Sequence, residues 1–177
     1  MKERAFSLPN ILSASRLPLA ILLVAYSSSW LRYLFLLLAV LTDMFDGYTA
    51  RKLNQMTKLG AVLDPLFDKI FVLIVFISLF LLQGFPPYAL LFFLRDIFTL
   101  TGAIMLFWLK ATPHFEIKAR TTGKFVTCLQ FLVLFFMIQG FGRWFNVSLA
   151  VLVIVAIVSV AEYAALLLRA LRKRGEN

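Results

Sequence analysis

Four aspartates crowd into residues 42–69: Asp43, Asp46, Asp64 and Asp68, out of nine acidic residues in the 177-residue chain. On a helix, Asp43, Asp46, Gly47 and Ala50 fall at i, i+3, i+4 and i+7 and share one stripe. Gly60, Asp64 and Asp68, at i, i+4 and i+8, form a stripe on a second helix. The polar, basic stretch 51–59 reads as a short connection. Two antiparallel helices are therefore expected to face each other across four carboxylates. Like charges crowded in a low-dielectric setting resist joint ionisation, and divalent cations are the natural remedy. All-oxygen ligation favours Mg²⁺, Mn²⁺ or Ca²⁺ over zinc.

The pattern Asp43-x-x-Asp46-Gly47-x-x-Ala50-Arg51, eight residues, then Gly60-x-x-x-Asp64-x-x-x-Asp68 resembles the signature of the CDP-alcohol phosphotransferases, with each position filled at the right spacing. The resemblance implies two divalent ions, Mg²⁺ or Mn²⁺, held by Asp43, Asp46, Asp64 and Asp68. It also makes Asp68 the candidate catalytic base for an acceptor hydroxyl. Gly47, Ala50 and Gly60 would border the cytidine of a CDP-linked lipid, and Arg51 would meet its diphosphate. Two metals suit in-line phosphoryl transfer because they neutralise both the attacking and the leaving oxygen. A homodimer is implied by the family as well.

Two shorter patterns bear on the acceptor. Pro9-Asn10-x-x-Ser13-x-x-Arg16 resembles the opening of the phosphatidylglycerophosphate synthases of that family, with Ser13 in place of threonine. Gly123-Lys124-x-x-Thr127-x-x-Gln130 is similar to a stretch opening the fifth span of those synthases and of the family's cardiolipin synthases. Arg95, Arg120 and Lys124 are the candidates for binding an acceptor phosphate, against a role in topology or ion pairing. The expected reaction transfers the phosphatidyl group of CDP-diacylglycerol to sn-glycerol 3-phosphate. The Arg95-Asp96 pair, where those synthases carry Arg-Glu, points instead to cardiolipin synthases, whose acceptor is phosphatidylglycerol. From another class, an aspartate-lined cation transporter would explain the carboxylates. It leaves the fixed spacing of glycine and arginine without a reason, and no inverted repeat accompanies it.

The elements that must position these residues are set by composition. The chain is 62% apolar with mean hydropathy +0.90, against roughly 45–50% apolar in soluble domains. The expectation is one all-α integral membrane domain over residues 1–177, in contact with membrane lipids. Six apolar runs, at 17–26, 30–50, 61–82, 87–109, 125–141 and 144–168, are read as transmembrane helices. A short interfacial segment precedes the first. With Lys2 and Arg4 before it, run 17–26 mimics a signal peptide but is read as a span. Arg16 is expected either in the site or snorkelling at the interface. Turns are expected at 83–87 and 139–143.

With the amino terminus cytoplasmic, thirteen Lys and Arg residues fall on the inside and only Arg32 and Arg143 outside. This positive-inside bias places both termini and the aspartate cluster on the cytoplasmic side. The net charge of +9 is dispersed at the ends of apolar runs, which suits anionic headgroups rather than nucleic acid. Cys128, the single cysteine, is expected as a buried space-filling thiol, and the single histidine, His114, as a solvated loop residue.

Overall fold

The computed structural model describes residues 8–26, 29–52, 58–108 and 121–175, with side chains at 11–26, 30–45, 66–102, 125–162 and 164–165. Every regular element among them is helical: α1 (Leu8–Ala14), α2 (Arg16–Ala25), α3 (Ser29–Lys52), α4 (Lys58–Gln83), a 3₁₀ segment (Pro87–Phe93), α5 (Leu94–Trp108), α6 (Thr121–Gln139) and α7 (Arg143–Gly175). They fall into two compact units. One comprises residues 1–85 with 134–141, the other 86–133 with 142–177.

In the first unit α1 and α2 both pack on α3 and α4. The break between α1 and α2 has a local cause. Pro18 lacks the N–H that would bond the Ala14 carbonyl, so the helical ladder is interrupted at Ser15. Ser15 keeps helical dihedrals, φ −62° and ψ −17°, and its hydroxyl donates to the Leu12 carbonyl at 2.6 Å. The segment expected to lie at the membrane interface is thus a helix packed on protein, with Ser13 and Arg16 0% and 1% exposed. Arg16 does not snorkel.

On α4 the buried positions Asp68, Phe71, Val72, Val75, Phe76 and Leu79 recur at helical spacing and form one face. Leu73, Ile77 and Leu81 form the opposite, exposed face. Gly84, at φ +65°, ends this helix, and the Phe85 amide reaches back to the Phe80 carbonyl at 3.4 Å. That pairing is the Schellman arrangement, which needs a left-handed residue just past the helix. The expected turn at 83–87 is therefore present. So is the one at 139–143, where Gly140 has φ +101°.

In the second unit α7 packs on α5 and on the 3₁₀ segment. Its buried residues Phe145, Ser148, Leu149, Leu152, Ala156 and Ser159 form one stripe, and Val147, Val151, Ile154 and Val158 form an exposed one. Tyr88 donates to Asn146 Oδ1 at 2.9 Å, tying the 3₁₀ segment to the start of α7. The run 87–109 was expected as one span. It begins instead as 3₁₀ helix after Pro86 and Pro87 and becomes α-helical only at Leu94.

Leu66–Gln83 and Arg143–Glu162 are long and apolar enough to cross a membrane, and Ile11–Ala25 and Phe125–Gln139 are shorter apolar helices. The hydroxyls of Thr42, Thr101 and Ser148 donate to carbonyls three or four residues back. Such bonds satisfy them inside an apolar helix without a partner from elsewhere.

Candidate active site

The signature lies on the two helices expected. Asp43, Asp46, Gly47, Ala50 and Arg51 are on α3; Gly60, Asp64 and Asp68 are on α4. The helices run further into the connection than expected, α3 to Lys52 and α4 from Lys58. Both keep good helix formers, such as Arg51, Lys52 and Leu59, inside their last and first turns. The side chains of Asp46, Gly47, Ala50, Arg51, Gly60 and Asp64 lie outside the described residues, and so do those of Arg120 and Lys124.

Asp43 and Asp68 are described, and they differ. Asp68 lies on the packing face of α4 and is 9% exposed. Asp43 continues the α3 stripe that buries Leu36 and Ala39, yet its side chain is 43% exposed. Arg16, at the start of α2, reaches it: Nη2 lies 2.9 Å from Asp43 Oδ1. At the other ends of α2 and α3, Arg32 Nε donates to the Tyr26 carbonyl at 3.0 Å, so the two helices are antiparallel. A guanidinium buried this deeply remains charged and needs a carboxylate. That requirement ties the start of α2 to a signature carboxylate on α3. Arg16, which the signature does not contain, is thereby paired with one of the signature carboxylates. Its signal in the sequence was the Pro9–Arg16 pattern.

Among the described residues no three His, Cys, Asp or Glu side chains converge; two of the four expected ligands are not among them. The donors that are described fit a hard divalent ion. Both are carboxylates, and Oδ2 of Asp43 takes no hydrogen bond among the described residues. No histidine is among the described residues to offer a ring nitrogen. Cys128, expected to be buried, is exposed. It lies on the face of α6 that carries Phe125 and Leu132, opposite Val126, Gln130, Val133 and Met137.

Arg95 and Asp96 turn to different partners, as adjacent residues on a helix must. Arg95 Nε donates to Ser159 Oγ on α7 at 3.2 Å. Gln130 Nε2 on α6, fully buried, donates to Asp96 Oδ2 at 2.6 Å. The last position of the Gly123–Gln130 pattern is therefore a polar lock between α5 and α6.

The chain matches the model of the CDP-alcohol phosphatidyltransferase family over residues 6–170. It belongs to this family. Divalent metal use is general there. The chain is 40% identical over 130 residues to the CDP-diacylglycerol--glycerol-3-phosphate 3-phosphatidyltransferase of Aquifex aeolicus, covering 68% of this chain and 71% of that one. It is 34% identical over 151 residues to a cardiolipin synthase (CMP-forming) / mitochondrial hydrolase fusion protein of Schizosaccharomyces pombe, covering 76% of this chain and 25% of that one. A CDP-diacylglycerol--glycerol-3-phosphate 3-phosphatidyltransferase of Cereibacter sphaeroides is 37% identical over 93 residues, 49% of this chain and 42% of that one. The match thus spans under half the length of the last two relatives.

Proposed function

We propose that this protein transfers the phosphatidyl group of CDP-diacylglycerol to sn-glycerol 3-phosphate, giving phosphatidylglycerophosphate and CMP. The observation that carries the reading is the placement of the whole signature on two helices, with Asp43 and Asp68 on the stripes that those helices pack with. The name of the Aquifex relative, aligned over two thirds of the chain, supports the choice of acceptor.

Asp43, Asp46, Asp64 and Asp68 would hold two divalent ions, Mg²⁺ or Mn²⁺, which supply charge neutralisation on the diphosphate. Gly47, Ala50 and Gly60 border the cytidine, and Arg51 binds the diphosphate. Asp68 accepts the proton of the acceptor hydroxyl as its oxygen attacks the lipid-bearing phosphorus and the bond to CMP breaks. Arg95, Arg120 and Lys124 bind the acceptor's phosphate. The single family match from residue 6 to 170 supports reading the chain as one domain. In the membrane reading it spans six times, with both termini and the site cytoplasmic, and it works as a homodimer.

Cardiolipin synthesis is the second reading, favoured by Asp96 and by the fission-yeast relative's name. CMP release from CDP-diacylglycerol and Mg²⁺ by the purified chain separates the two. Release with glycerol 3-phosphate alone is expected, and release with phosphatidylglycerol alone would overturn the acceptor. Asp68→Asn is expected to lower the rate about 10²–10⁴-fold, the usual range for a general base. A rate matching the unsubstituted protein would remove Asp68 from that role.

A further inference from the structure

Arg16 and Asp43 are unequally buried partners. The guanidinium is 1% exposed and the carboxylate 43%, with Nη2 on Oδ1 at 2.9 Å. Oδ2 has no hydrogen bond among the described residues. Arginine does not deprotonate, and a buried cation parts from a carboxylate only at a cost, so this contact favours keeping Oδ1 on Arg16 when an ion binds. Asp43 then has one oxygen left to offer.

We propose that Arg16 restricts Asp43 to single-oxygen coordination, and so sets a preference for Mg²⁺ over Ca²⁺ at the site. The inference rests on the reading of Asp43 as a metal ligand. Mg²⁺ demands near-ideal octahedral geometry with short bonds, which one oxygen per carboxylate satisfies. Ca²⁺ takes six to eight oxygens and readily accepts both oxygens of one carboxylate. A carboxylate with one oxygen tied down therefore disfavours the larger ion. Partners behind a ligand are known to shift metal affinity about 10–100-fold. Arg16 is in this sense a positioning residue and touches no substrate.

The test is metal competition on the full chain in detergent. Bound Mn²⁺ is followed by its electron paramagnetic resonance signal while Mg²⁺ or Ca²⁺ displaces it. In Arg16→Met the ability of Ca²⁺ to displace Mn²⁺, relative to that of Mg²⁺, is expected to rise about tenfold. Arg16→Lys, which keeps a cation on Oδ1, is expected to stay near the unsubstituted ratio. Adding Arg16→Met to Asp43→Asn should change that variant's ratio little, because the two residues act through one contact. A general loss of folding would lower the bound fraction without moving the ratio. If Arg16→Met is not monodisperse, Arg16→Gln, which keeps a neutral donor, gives the same reading with a shift in the same direction.

An unchanged ratio in Arg16→Met and Arg16→Gln, with Mn²⁺ bound by the parent and weakened by Asp43→Asn, overturns the inference alone. If the parent binds no Mn²⁺, or Asp43→Asn binds it as well as the parent does, the metal reading falls and the inference with it.

Discussion

At the scale of single residues the contrast is between carboxylates proposed to face a ligand and those that face protein. Asp96 belongs to the second kind, since Gln130 is buried completely and donates to it at 2.6 Å. Gln130→Leu removes the donor and leaves a partly buried carboxylate short of one hydrogen bond. That costs about 1–3 kcal/mol, so a thermal midpoint in detergent several degrees lower is expected. Arg95 differs again. Ser159 fixes its Nε, and if its remaining nitrogens serve the acceptor, Arg95→Ala should raise KM for glycerol 3-phosphate at least tenfold while KM for CDP-diacylglycerol changes little. Equal rises in both would place Arg95 in the scaffold instead. The residue types and spacings of the signature were legible in the sequence, because chemistry fixes them locally. The Arg16–Asp43 contact was not, because its partners are 27 positions apart and meet only once α2 folds back along α3.

At the scale of elements, sequence punctuation located the turns but did not locate the buried faces. It did not separate 3₁₀ from α-helix after Pro87, since both tolerate the same apolar run and the choice turns on backbone hydrogen bonding. Nor did it say which side of α6 is outward. An apolar helix of the Phe125–Gln139 kind has hydrophobic residues all round, so Cys128 carried no sign of its exposure. The two glycine turns give a prediction that distinguishes them. Gly84 sits at φ +65° in open space, within reach of asparagine. Gly140 sits at φ +101°, outside the ordinary left-handed well. Gly84→Asn is expected to cost under about 1 kcal/mol, and Gly140→Asn about 1–3 kcal/mol. A Cβ at Gly140 would meet Gln83 Oε1 only at 3.6 Å, so backbone strain rather than a clash decides that difference. Thermal unfolding of both variants in detergent checks the order.

At the scale of the whole molecule, the exposed stripes are the physical argument for lipid. Leu73, Ile77 and Leu81 on α4, and Val147, Val151, Ile154 and Val158 on α7, are each about 40% or more exposed. Apolar stripes of this length are rare against water and ordinary against acyl chains. The positive-inside count predicts a direction that can be tested. Cys128 is first replaced by serine, and single cysteines are placed at Phe141 in the second glycine turn and at Lys173 near the carboxyl end. Added to intact cells, a membrane-impermeant maleimide should label the cysteine at 141 and spare the one at 173, with both labelled after permeabilisation. The reverse pattern would put the aspartate cluster on the side away from cytosolic glycerol 3-phosphate, and the proposed reaction would lose its water-soluble substrate. Labelling of both sites in intact cells would mean an odd number of crossings between 141 and 173 is wrong, and α7 would have to be withdrawn as a span. Chelation provides the matching check on chemistry: excess EDTA should abolish CMP release and added Mg²⁺ should restore it, since four carboxylates without cations repel both each other and the diphosphate.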